Sequence, residues 1–417
     1  MRPGGGPSLP AEAVSAAAQL GSSPARHLYH GRDPRRASSI EDLRAMAHRR
    51  LPRFVLEYLE GGAEEEGALA GNRAAFHRWR FLSHALAGAA EPDLSIPLFG
   101  TDLPLPLIVA PSGLNGLFCH RADILLAEAA AKAGIPFTQS TMSNETIEAV
   151  ARVPGLRHWF QLYIMKEEAI THALVDRADR AGCEALVITT DAQIFGKRSW
   201  SKRERTDPTS LTLAAKWNAA LHPGWLARTL LPAGLPRFPN FLDWLPDDRR
   251  SLFRSAFWIR DHMDKGADWE SVARIRDRWK KPLLIKGLMR PEDVDKAAAI
   301  GADAAVLSNH GGRQLDWAAA PLDVLPAARE VAAGRIALLM DGGIRTGGDV
   351  LKAMALGADA VLIGRAPLYG LAGAGRAGAL RAIEILADEM ERDLALLSCR
   401  SPAELDGSFL MEERGAI

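Results

Sequence analysis

From Leu105 onward, short apolar runs alternate with longer segments whose apolar residues recur at helical spacing. Eight runs have the length of buried strands: Leu105–Ala110, Pro136–Gln139, His158–Leu162, Ala185–Thr189, Leu283–Lys286, Ala304–Ser308, Ile336–Met340 and Ala360–Ile363. Several follow a glycine placed to end the preceding helix, as at Gly134, Gly182, Gly301 and Gly357. Eight such βα units predict an α/β fold, a (β/α)₈ TIM barrel rather than an open doubly wound sheet. Upstream, Ser39 is placed to cap a helix from Ile40, with Asp42 three residues on imitating a capping box. A second helix is expected from Leu51 to Glu60, with Pro52 in its first turn and Gly61-Gly62 ending it.

In a barrel, chemistry gathers at the C-terminal ends of the strands. Here those ends read Pro111-Ser112-Gly113, Gln139-Ser140-Thr141, Gln161-Leu162-Tyr163, Thr189-Thr190-Asp191, Lys286-Gly287, Ser308-Asn309-His310, Asp341-Gly342-Gly343 and Gly364-Arg365. Each offers polar, small or charged residues, which random ends would not do eight times. The rhythm breaks once: about 90 residues separate Asp191 from Leu283, where a βα unit needs about 30. This insertion, about residues 197–262, holds Trp200, Trp217, Trp225, Trp244 and Trp258, half of the chain's 10 tryptophans. From Ser201 to Asn240, 6 Lys/Arg face 2 Asp/Glu, so the segment is locally basic and aromatic.

Composition narrows the classes. The chain has 417 residues and 47% hydrophobic content, ample for one large barrel. Lys+Arg and Asp+Glu are both 51, so no global field draws nucleic acid, and no nucleic-acid motif is present. Cys119, Cys183 and Cys399 have neither metal-ligand spacing nor an even disulfide framework, which suits a reducing compartment and predicts no metal site. No apolar run reaches 18 residues, so no transmembrane helix is expected. Residues 1–38 are rich in Gly, Pro and Ala and are expected to be a disordered tail. Arg26, Arg32, Arg35 and Arg36 give it a faint transit-peptide flavour. Residues 39–400 are assigned to the barrel and 401–417 to a C-terminal tail.

The candidate chemistry centres on Ser308-Asn309-His310-Gly311-Gly312-Arg313-Gln314-Leu315-Asp316 after the sixth strand. A possible general base and a fork of carboxylate-binding donors arrive together, with glycines that admit a ligand close to the backbone. Asp191 is the natural acidic partner for His310. Asp341-Gly342-Gly343-Ile344-Arg345 and Gly364-Arg365, at the seventh and eighth strands, lie where barrels hold a phosphate. Alternation gives Gln161 and Tyr163 the same facing. Lys286, ending an apolar strand, would ordinarily be a snorkelling residue.

SNHGGRQLD, with LEYLEGGAEEE, SGLNG, WFQLY, LHPGW and GRAPLYG, resembles the FMN-dependent 2-hydroxy acid dehydrogenase and oxidase family, most of all its mandelate dehydrogenases. The resemblance runs from about Ile40 to about Ser398. It implies that Pro111, Ser112, Gly113, Ser140, Gln161, Thr189, Lys286 and Ser308 contact the flavin. Asp341, Gly342, Gly343, Arg345, Gly364 and Arg365 would hold its phosphate end. Pro111-Ser112-Gly113 departs from the family, where a threonine is usual. It further implies that His310 is the base, supported by Asp191, and that Lys286 places positive charge beside the ring. Arg313, Arg198, Tyr58 and Tyr163 would bind substrate, with Lys197 and Arg203 competing for the place of Arg198. The implied reaction is oxidation of a mandelate-like or lactate-like 2-hydroxy acid to the 2-keto acid, with electrons passed to a membrane quinone. The alternative is a soluble oxidase that yields hydrogen peroxide. Family likeness also suggests a homotetramer and peripheral attachment, through the insertion, to the cytoplasmic face of the inner membrane; the alternative location is the cytoplasm.

Overall fold

The computed structural model describes residues 27–413, apart from residues 87, 89–90, 200–202 and 208–209. Eight parallel strands close into a barrel in chain order. They are β1 (Leu107–Val109), β2 (Pro136–Ser140), β3 (Arg157–Leu162), β4 (Ala185–Thr189), β5 (Leu283–Leu288), β6 (Ala304–Leu307), β7 (Ala337–Met340) and β8 (Ala360–Ile363). All eight expected strands form, their ends moved by no more than 2 residues. Every residue of β4 and of β6 is buried, as strands covered on both faces must be. The cover comes from the helices that follow each strand, ending with the pair Arg365–Ala374 and Arg376–Leu397 after β8.

Strand register aligns the polar ends. Ser140 lies opposite Gln161, and Thr189 opposite Lys286. The β5–β6 register slips between Lys286 and Leu288. There Gly287 adopts φ +104°, and a Cβ on it would fall 2.7 Å from Asp191 Cγ. Only glycine leaves space for that carboxylate.

Two helices lead into the barrel: α1 (Ile40–Arg50) and α2 (Arg53–Glu60). Ser39 caps α1 by accepting from the Asp42 amide. No capping box is completed, because Asp42 accepts instead from the amides of Tyr29 at 2.7 Å and Ser38 at 2.9 Å. Its carboxylate thus ties down the preceding chain. Pro52 is the cap of α2 rather than part of its first turn. Of the expected N-terminal tail, residues 1–26 lie outside the described residues. Within the rest, Asp33 caps a short turn at Pro34–Arg36. At the other end Leu410–Glu412 pairs antiparallel with Trp79–Phe81.

The insertion divides by face. Trp225 and Phe238 are fully buried, and the Trp225 indole donates to Leu117 O at 2.7 Å while meeting Phe54 of α2 edge-on. These two aromatic residues of the insertion therefore pack on the barrel. Leu213, Trp217, Leu221, Leu231 and Leu235 stay exposed, Leu213 at 84% and Trp217 at 70%. Trp200 lies outside the described residues.

Candidate active site

The strand ends open into one cavity of about 730 Å³, within the range of ligand sites, about 300–1,000 Å³. Of the residues assigned to flavin, substrate or acid–base work, all but Asp191 and Ser308 line it, and those two bond to His310 and Lys286 from behind. Of the three competing cations, Arg198 lines it and Lys197 and Arg203 do not. His310 donates or accepts through Nδ1 at 2.8 Å from Asp191 Oδ1. With Asp191 ionised the proton lies on Nδ1, which leaves the Nε2 lone pair free. Burial works to raise the Asp191 pKa, but the charges of His310 and Lys286 and the His310 hydrogen bond outweigh it and hold the carboxyl below its ordinary value. The second oxygen, Oδ2, is buried without a partner among the described residues.

His310 holds φ +59°, in the left-handed region, followed by Gly311 and Gly312 at +63° and +75°. For a non-glycine residue this costs roughly 1–2 kcal/mol. The turn is enforced from behind. The His310 amide donates to Ser308 Oγ at 3.0 Å, and Asn309 exchanges amide hydrogen bonds with Asn72 at 2.9 and 2.7 Å. Asn72 and Asn309 are buried, and neither stood out in the sequence as a support.

Lys286 is buried between Asp341 Oδ2 at 2.7 Å and Ser308 Oγ at 2.6 Å. Burial alone would discharge it, yet Asp341 and Asp191 raise its pKa above the ordinary value, so it stays an ammonium. Tyr163 is buried, and its phenol pKa is pushed up chiefly by desolvation. At the floor, Gln161 Nε2 and Thr189 Oγ1 are buried without partners among the described residues. Unmet polar groups of this kind point to a ligand.

Four arginines assigned from sequence line the cavity, two of them side by side. Arg313 donates to Tyr58 O at 2.8 Å, near the end of α2, and to Gly61 O at 2.9 Å, just past it, and lies 5.1 Å over the Tyr58 ring. Arg365 takes the neighbouring Leu59 O at 3.0 Å and Gly311 O at 3.0 Å. Burial lowers the pKa of both, Arg313 well below the ordinary value and Arg365 to about 10. Arg198 lines the wall with Nε buried and unpartnered among the described residues. Tyr58 donates its phenol to Gly113 O at 2.9 Å. Arg345 lies 5.5 Å over the Tyr369 ring. Gly343, at φ +86°, has Asn72 O 2.4 Å from where a Cβ would be, so this loop admits no side chain. The helix Arg365–Ala374 starts without a side-chain cap, its N-terminus favouring an anion, whereas the amides at the start of Gly347–Ala355 are taken by Asp349 and Glu389.

Two further sets escaped the sequence reading. Asp123, fully buried with a pKa raised by desolvation, accepts from Asn115 at 2.7 Å and Ser143 at 2.8 Å, binding together the loops after β1 and β2. The helix Leu252–Asp261 in the insertion turns Phe253, Ala256, Phe257 and Arg260 into the cavity. Their i, i+3, i+4, i+7 spacing was the available signal.

A flat heteroaromatic ring with a phosphate tail fits these features. Gln161 and Thr189 offer unmet hydrogen bonds to the ring, Lys286 a cation, and the Gly342–Arg345 and Gly364–Arg365 loops an anion cradle. A sequence model of the family described as FMN-dependent dehydrogenase matches residues 47–412. The chain is 40% identical to (S)-mandelate dehydrogenase of Pseudomonas putida over 376 residues, covering 90% of this chain and 94% of that protein. It is 37% identical to an L-lactate dehydrogenase of Ectopseudomonas mendocina, covering 90% of this chain and 99% of that one. A crystal structure of the monotopic membrane protein (S)-mandelate dehydrogenase superposes with TM-score 0.86 at 39% identity, covering 91% of this chain and 100% of the other.

Proposed function

The chain belongs to the FMN-dependent dehydrogenase family, and from that premise we propose that it oxidises a mandelate-like or lactate-like 2-hydroxy acid with His310 as base and a membrane quinone as electron acceptor. The observation that carries the reading is the His310–Asp191 pair, 2.8 Å apart, on the same cavity as Arg198 and Arg313. A 2-hydroxy acid needs one group to take its hydroxyl proton and cations to fix its carboxylate. His310, Arg198 and Arg313, which line one cavity, would supply both.

His310 Nε2 takes the hydroxyl proton. Asp191 keeps the imidazole in the required tautomer and stabilises the imidazolium that results. Arg198 and Arg313 hold the carboxylate, with Tyr58 and Tyr163 as hydrogen-bonding partners. Arg313 is steadied by the carbonyls of α2, so little order is lost when its remaining N–H groups engage substrate. FMN, when bound, supplies the two-electron acceptor. Pro111, Ser112, Gly113, Ser140, Gln161, Thr189, Lys286 and Ser308 would contact or support its ring. Asp341, Gly342, Gly343, Arg345, Gly364 and Arg365 would serve its phosphate end. Lys286 keeps a fixed positive charge where electrons arrive.

The exposed apolar residues of the insertion lie among the exposed cations Lys216, Arg228 and Arg237. This composition suits shallow insertion into an anionic membrane surface, and the relative solved as a monotopic membrane protein supports it. No helix among the described residues is long and apolar enough to cross a membrane, so attachment would be peripheral. Anaerobic mixing of the yellow holoprotein with mandelate, lactate and other 2-hydroxy acids tests the reaction. Flavin bleaching is expected, followed by reoxidation with a quinone analogue. Absence of bleaching with every acid would refute the reading, and rapid reoxidation by oxygen with peroxide release would replace the quinone by oxygen.

A further inference from the structure

The reaction above uses two arginines for one carboxylate and gives Lys286, Arg345 and Arg365 to the flavin, yet the cavity wall holds a further cation, Arg260, that it leaves unused. Arg260 sits at the end of the helix Leu252–Asp261, on the same face as Phe253 and Phe257. Its guanidinium lies 4.6 Å over the Phe257 ring. Nε and Nη2 both donate to Asp261 Oδ1, at 2.9 and 2.7 Å. Nη1 has no partner among the described residues. The stacking and the ion pair orient the guanidinium on the cavity wall, where its side chain stays 38% exposed and can meet a ligand. The opposite side of the helix, Leu252, Ser255 and Ile259, is buried and anchors this face.

The setting selects among ligands. Two aromatic rings favour an aromatic substituent by stacking and area burial. Asp261 shares the charge of Arg260 in a pair whose side chains stay 38% and 58% exposed, so an incoming carboxylate would meet a partly neutralised cation and the repulsion of the Asp261 carboxylate beside it. A neutral oxygen, by contrast, accepts a hydrogen bond from a charged donor without bringing a charge to desolvate. We propose that the Phe253–Phe257–Arg260 face is the wall for the substrate's side chain and that Arg260 makes the enzyme select aryl 2-hydroxy acids carrying a neutral oxygen on the ring. The inference rests on the 2-hydroxy acid reading and names the substrate class within it.

The test is anaerobic flavin reduction and steady-state turnover of the holoenzyme with mandelate, 4-hydroxymandelate, lactate and 2-hydroxyglutarate. Arg260→Leu and Arg260→Lys are compared with the wild type, and an unchanged flavin spectrum reports folding. The wild type should prefer 4-hydroxymandelate over mandelate in kcat/KM by roughly tenfold, the scale of one hydrogen bond to a charged donor. Arg260→Leu should abolish that preference, mainly through KM, and Arg260→Lys should recover part of it. A ratio unmoved by Arg260→Leu overturns the proposal, as do equal losses on both mandelates, which mark a structural role. Preference for 2-hydroxyglutarate that vanishes in Arg260→Leu also overturns it, because the partner would then be a carboxylate. Failure of every acid to reduce the wild-type flavin overturns the parent reading and this one together. Reduction by mandelate with an unmoved ratio overturns this one alone.

Discussion

His310 holds a left-handed backbone that its residue type resists, and the buried Asn72–Asn309 amide pair and Ser308 keep it there. Strain sustained by its surroundings is common where a side chain must be aimed. His310→Gln should fold, bind flavin and lose roughly 10²–10⁴ in the rate of flavin reduction, the usual contribution of a general base. Half-normal reduction in stopped flow would remove His310 from that role. The sequence made this residue legible because a histidine, two glycines and an arginine rarely coincide at a strand end. It did not reveal Asn72, whose partner is more than 200 residues away. Gly113 shows a different kind of constraint. A Cβ there would lie 2.7 Å from the Met142 Cβ and would force apart the loops joined by the Leu114 N to Met142 O bond at 3.0 Å. Gly113→Ala should therefore cost about 1–3 kcal/mol by overpacking. Because the obstacle is a Cβ, adding Met142→Ala should give no rescue and adding Met142→Gly should. Thermal unfolding of the two double variants decides it, and rescue by Met142→Ala would show that the clash was with the flexible end of Met142.

At the scale of elements, strands were more legible than the supports between them. Each strand carries its own apolar signal, whereas Asp123 unites loops from two strands, and a lone buried carboxylate has no pattern in sequence. The helix Leu252–Asp261 did have a pattern, but it lies in the insertion, where no barrel repeat indicates which face meets the cavity. His158 is another cross-strand support. It begins the buried part of β3, placing Nε2 3.0 Å from Gln139 Oε1 of β2 and Nδ1 3.4 Å from Cys183 Sγ. Both contacts suit a neutral ring, and burial lowers its pKa to about 4. The unfolded chain binds a proton near pH 6.5, which the folded state refuses until much lower pH. This contribution is therefore complete above about pH 6.5 and shrinks as pH falls toward 4, with a loss of about 2–3 kcal/mol by pH 4.5. His158→Gln removes the titration, so its urea midpoint should fall less between pH 7 and pH 4.5 than that of the wild type. Equal declines would place the acid sensitivity elsewhere.

For the molecule as a whole, the barrel was legible because each βα unit repeats one pattern and one rule places the chemistry at one rim. The insertion follows no repeat, and its aromatic and apolar residues divide by facing, which composition does not reveal. Trp225 and Phe238 turned inward, while Leu213, Trp217, Leu221, Leu231 and Leu235 remain in solvent. Exposed apolar side chains among cations are costly unless something covers them. A membrane surface would cover them and bring a quinone near the barrel mouth, with no spanning helix required. Burying one large apolar side chain contributes roughly 1.5–3 kcal/mol, so losing three should weaken vesicle binding by at least about a hundredfold. The variant Trp217→Ser/Leu231→Ser/Leu235→Ser tests this because those residues are exposed and supply nothing to the cavity. It should stay yellow and be bleached by substrate at the wild-type rate. It should no longer sediment with anionic vesicles, and it should pass electrons poorly to quinone held in them while still reducing a water-soluble dye. Wild-type protein that fails to sediment with such vesicles at low salt, or a variant that sediments equally well, would assign this patch to contacts between protein surfaces instead.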